Sequence, residues 1–116
     1  MNKDDAQKEV TNIGVAYFQD RISDFETTAL GLNSIFEEIK DHASSSRRTG
    51  VGSWEKEEEA TRVALEELRI EELDRILQQY YGINPEVVGG SKAFFEKLHT
   101  TIQEGTNEAR QRHSPK

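Results

Sequence analysis

Two pairs of acidic side chains sit where a helix would hold them on one face: Glu38 with Asp41, and Glu71 with Asp74, each three residues apart. With Glu37 beside the first pair, facing helices would bring up to five carboxylates together. Such a set supplies the hard oxygen ligands that Mg²⁺ prefers and could present a nucleotide pyrophosphate to water. Histidine offers less. His42, His99 and His113 are the only three, and Glu96-Lys-Leu-His99 is a single E-x-x-H, half of a di-iron bundle motif with no second copy. Nothing signals a serine on a sharp turn beside a histidine, as Ser–His–Asp chemistry requires. The absence of cysteine removes thiolate zinc sites, disulfides and a thiol nucleophile. The stretch SSSRRTGVGS, residues 44–53, has the glycines of a phosphate cradle but not its lysine, and no strand precedes it. The glutamates after Trp54 already occupy the positive end of the next helix and would repel a phosphate. The stretch reads as a turn whose arginines, Arg47 and Arg48, face acidic neighbours.

The paired acids resemble the motifs of the all-α nucleotide pyrophosphohydrolases of the MazG type, which carry E-E-x-x-E and a later E-x-x-D. Here Glu37-Glu38-Ile-Lys-Asp41 ends in aspartate instead of glutamate, and Glu71-Glu72-Leu-Asp74 stands for the second motif. The resemblance covers those residues alone and implies a Mg²⁺-dependent helical enzyme with Glu37, Glu38, Asp41, Glu71 and Asp74 as ligands. Glu55-x-x-Glu58 cannot serve as the first half, because it shares a predicted helix with Glu71. In a chain with 22 acidic residues short acidic patterns arise by chance. A solvated acidic face explains them, and the favoured reading is a non-enzymatic protein without metal or cofactor.

The elements that would position these residues are helices. Val15, Phe18, Ile22, Phe25, Ala29, Leu32, Phe36, Ile39 and Ala43 recur at alternating steps of three and four, the coiled-coil seam spacing of a helix packed lengthwise on another. This predicts one helix over about 5–43, capped by Asp4 or Asp5 and ~57 Å long at 1.5 Å per residue. A break with Ser23 as N-cap and Glu26 completing a capping box is the alternative. The unchanged heptad phase favours continuity.

A second helix is expected over about 54–81, with Ser53 as N-cap and Gly82 as left-handed C-cap. It carries two apolar rows: Val63, Ile70, Leu73, Leu77 and Tyr80, and beside them Ala64, Leu65, Leu68 and Ile76. Two rows imply two packing partners. A third helix over 91–104, capped by Ser91 and ended by Gly105, supplies Phe94, Phe95, Leu98 and Ile102. Residues 106–116 have little to bury and are expected to form a flexible tail. The fold class is therefore all-α: a long helical hairpin with a shorter third helix, bundle-like, in a single domain over 1–105 completed by oligomerisation.

Charge narrows the function. The net charge is −7, and residues 1–43 and 54–81 each carry nine acids against four bases. Phosphate neutralisation needs a basic face, so direct nucleic acid binding is not expected. Nor does any apolar run approach the length needed to span a bilayer, and the first ten residues lack signal-peptide character. The expectation is a cytoplasmic regulatory, inhibitory or adaptor protein that binds itself, as a homodimer or larger oligomer, and one further protein. The surplus apolar seam points to Phe18, Ile22, Phe25, Leu32, Phe36, Ile39, Ile70, Leu73 and Leu77 as interaction residues. Trp54, Tyr80 and Tyr81 join them as aromatic anchors or simply close the bundle ends, and Arg47 and Arg48 join as a basic loop.

Overall fold

Asn2 starts the first helix. Its backbone is extended and its side-chain oxygen accepts the amide proton of Asp5 at 2.8 Å, which leaves Asp4 and Asp5 in the first turn, where the helix dipole favours them. The cap is thus Asn2 and not Asp4 or Asp5. The computed structural model describes residues 1–19, 21, 29–45 and 54–113. Among these are five α-helices: α1 (Lys3–Tyr17), α2 (Ala29–Ser45), α3 (Glu55–Glu67), α4 (Ile70–Ile76) and α5 (Ser91–His113). A π-helical turn, Leu77–Tyr81, continues α4, and a 3-10 turn, Pro85–Val88, precedes α5. Among the described residues there is no strand, and no helix is long and apolar enough to cross a membrane.

The helix expected over 5–43 is two elements. α1 stops at Tyr17, where the amides of Phe18 and Gln19 both donate to the Gly14 carbonyl at 2.9 Å. Tyr17 Oη then lies 2.7 Å from His42 Nδ1, and the Arg21 guanidinium 2.8 Å from the Glu38 carboxylate. In one straight helix Tyr17 and His42 would be about 38 Å apart. The molecule's longest dimension, 45 Å, is itself shorter than the ~57 Å of that helix. The cause is tertiary. An unbroken heptad phase is equally compatible with two helices that bury their stripes on different neighbours, here α1 on α3 and α2 on α5, and closure removes apolar surface that a lone long helix leaves in water.

The second expected helix also divides. Leu68 and Arg69 are extended, and the Glu72 carboxylate accepts the Arg69 amide proton at 2.9 Å to start α4. Arg69 is not a residue type that announces an N-cap, so only the tertiary fold shows the bend. Gly82 does adopt the left-handed conformation, φ 72°, that ends the π turn. α5 begins at Ser91 as expected but runs through Gly105 to His113. Thr106 and Ala109, assigned to a tail by their sequence, are buried.

The pairing of the helices follows from their contacts. α1 and α3 run antiparallel, with the Met1 amino group on Glu59, Glu9 on Lys56 and Tyr17 against Trp54. α3 and α5 are antiparallel too, since His99 meets Glu58 and Arg110 meets Glu55. α2 and α5 run parallel, with Lys97 on Asn33 and Lys40 on Glu104. Between them lies an aromatic core of Phe18, Phe36, Tyr81, Phe94 and Phe95, with neighbouring ring centroids from 4.9 Å (Phe18–Tyr81) to 5.9 Å (Phe18–Phe36). Tyr81 is fully buried and donates its hydroxyl to the Val10 carbonyl at 2.9 Å, tying the π turn to α1.

Candidate functional site

The apolar residues expected to meet a partner are mostly consumed inside the chain. Phe18, Leu32, Phe36, Ile39, Leu73, Leu77 and Tyr81 belong to the core, none more than 7% exposed. Within the chain α3 covers α1 and α5 covers α2, supplying the packing partners that a long lone helix would lack. Ile70 and Tyr80 do remain exposed, at 52% and 37%, and Trp54 is half-buried against the Tyr17 ring at 5.6 Å. Ile22, Phe25, Arg47, Arg48, Ser23 and Ser53 lie outside the described residues.

The acidic pairs that resembled a Mg²⁺ site are not brought together. Glu37 and Asp41 are exposed on α2, and Glu38 is held by Arg21. Glu71 is exposed on α4, while Asp74 accepts a hydrogen bond from the Ser91 hydroxyl at 2.5 Å. α2 packs chiefly on α5, and α4 on the π turn and α5. Among the described residues no three His, Asp or Glu side chains gather closely enough to hold a metal ion.

Where α1, α2 and α3 converge, the structure groups polar side chains that had no evident relation in sequence. The Tyr17 phenol, pushed up from its ordinary value by burial and by the nearby Glu38 and Glu57 carboxylates, stays protonated and donates to His42 when Nδ1 carries no proton. Burial likewise raises the Glu57 carboxyl, whose Oε1 is buried without a hydrogen-bond partner among the described residues. Nearby on the α3–α5 contact, His99 Nε2 lies 3.6 Å from Glu58, outside hydrogen-bond distance. These groups knit helix ends together.

A concavity lies elsewhere, between the start of α2, the 3-10 turn and the start of α5. It is a cavity of about 240 Å³ walled by Leu32, Phe36, Val88 and Phe94, with Val87, Ala93, Asn33 and Lys97 around it. Its shape has local causes. Asn84 caps the 3-10 turn by accepting the Glu86 amide proton at 3.0 Å, and Gly89 and Gly90 take positive φ values of 81° and 105° to swing the chain into α5. That swing leaves Val87 54% exposed beside the cavity. Lys97 is fixed over it, its ammonium 3.1 Å from Asn33 Oδ1 and 4.8 Å from the centre of the Phe36 ring. On the far side of Ala93 a shallower hollow is bordered by Ile70, Pro85 and Lys92 with the acids Asp74 and Glu86. Of the cavity's surroundings only Leu32 and Phe36 were expected as interaction residues. Val87, Val88 and Lys97 were missed, and the available signal was two consecutive valines between a proline and two glycines, in a segment too short to be a strand. No protein-family model, curated protein or solved structure matches this chain.

Proposed function

We propose that this protein is a non-enzymatic helical interaction module, of a regulatory, inhibitory or adaptor kind, that receives a segment of a partner protein in the groove between α2, the 3-10 turn and α5. The observation that carries the reading is a preformed apolar cavity with Val87 exposed at its edge, in a molecule whose long apolar stripes are otherwise buried. Burying Val87, Val88 and the mouth of the cavity supplies a favourable term for association, and a rigid helical frame limits the ordering cost. Self-association is the narrower form of this reading, with Met1, Val15, Ile70, Tyr80 and Val87 as the large exposed apolar residues among those described.

The test is comparative capture from a lysate of the native host, with light scattering to fix the mass of each protein. The wild-type chain should retain a partner that Val87→Asp loses and Val15→Asp keeps, both variants remaining folded by circular dichroism. Equal retention by all three would remove the groove from the reading.

A further inference from the structure

We infer that the groove takes one large apolar side chain from an acidic segment of its partner, a carboxylate of that segment meeting the Lys97 ammonium. The inference rests on the groove being an interaction site and names the chemistry of what enters it.

Size comes first. At about 240 Å³ the cavity falls below the roughly 300–1,000 Å³ typical of small-molecule sites. It is the scale of a single anchor side chain, the way interface hot spots fill a pocket on the opposite surface. The walls, Leu32, Phe36, Val88 and Phe94, offer such an anchor only apolar contact.

Charge selects the flanks of the anchor. Lys3, Lys40 and Lys56 each pair with a carboxylate of the chain. Lys97 does not: Asn33 and the Phe36 ring hold it, and among the described residues no acid pairs with it. Lys92 shares the adjoining hollow with Asp74 and Glu86 and adds no net positive charge there. Lys97 is the one charged side chain among the described residues that line the cavity, on a chain of net charge −7. Complementarity there favours carboxylates over ammonium or guanidinium groups on the partner. Because Lys97 is already pinned, it loses little side-chain freedom when a carboxylate arrives.

The experiment uses two peptides with the same anchor, acetyl-Glu-Glu-Phe-Glu-Glu-amide and acetyl-Lys-Lys-Phe-Lys-Lys-amide, titrated into the ¹⁵N-labelled full chain at low salt. The acidic peptide should move the amide signals of Asn33, Val88, Ala93 and Lys97 and bind about tenfold or more tightly than the basic one. Lys97→Glu should erase that preference, Lys97→Gln should weaken it, and both changes sit at an exposed position that leaves the fold intact. Added salt should weaken the acidic peptide more than the basic one. Equal or tighter binding of the basic peptide overturns the inference, as do shifts that map away from the groove. If neither peptide moves groove signals while Val87→Asp still abolishes partner capture, the acidic-anchor chemistry is wrong and the groove reading stands. If capture is also indifferent to Val87, both fall.

Discussion

Glu57 is a carboxylate placed where its charge is least welcome. Half-buried at the start of α3, with Oε1 buried and unpartnered among the described residues, it is held above the ordinary carboxylate value chiefly by burial, with the Glu9 charge adding to the effect. Its folded pKa exceeds its unfolded one, so folding takes up a proton here. The stability this proton binding contributes is fully present below the unfolded value of 4.5 and is lost as pH rises through the folded value. Glutamine keeps the shape without the charge. Glu57→Gln is therefore expected to raise the melting temperature at about pH 7 relative to wild type, and the gap should close on acidification to about pH 4. Thermal melts across that range check it. A gap that widens toward acid would mean that the carboxylate, and not the carboxylic acid, is what the fold stabilises.

At the scale of elements, Gly105 shows how far a helix stop in sequence depends on its neighbours. Read locally it ends a helix; in the structure α5 passes straight through it, because it sits at the crossing with α2. A Cβ built there would stand 2.5 Å from Ala43 Cβ and 2.8 Å from the Lys40 carbonyl oxygen. In an open helix Gly→Ala gains about 1 kcal/mol. Here the sign reverses: Gly105→Ala is expected to cost roughly 1–3 kcal/mol through overpacking, read from urea unfolding midpoints. The same contrast explains which elements were legible. Apolar spacing records which face a helix buries, and Phe94, Phe95, Leu98 and Ile102 are buried as their spacing implies. Where a helix turns back is decided by distant residues. The stop at Tyr17 has neither the glycine nor the following proline that announces a helix C-terminus, and Phe18 closing on Phe36 and Phe94 is a relation that no local pattern contains.

For the whole molecule, a bundle's surface is left over from how its helices close, which is why the groove was harder to read than the core. Its parts come from three separate stretches, around Leu32, Val87 and Lys97, and each has an ordinary local meaning: a seam residue, a turn and a solvated helix face. The acidic pairs had the opposite fate, since a suggestive local spacing was dispersed by the topology. The C-terminal turns of α5 test the global arrangement most directly. The sequence assigns residues 106–113 little to bury. The structure instead buries Thr106 and Ala109 and pairs Arg110 with Glu55 and Glu108 with Lys40, so this segment ties α5 to α3 and α2 at once. The ion pairs are exposed and contribute little. The buried side chains and lost helical turns together account for about 1–2 kcal/mol. Ending the chain at Gly105 should then lower the melting temperature by roughly 5–15 °C, measured by circular dichroism, whereas a flexible tail could be removed with no change. Substituting Arg110→Ala in the full chain separates the causes. A fall as large as that of the truncation would place the stabilisation in the ion pair, and a negligible one in the packing of α5 against its two neighbours.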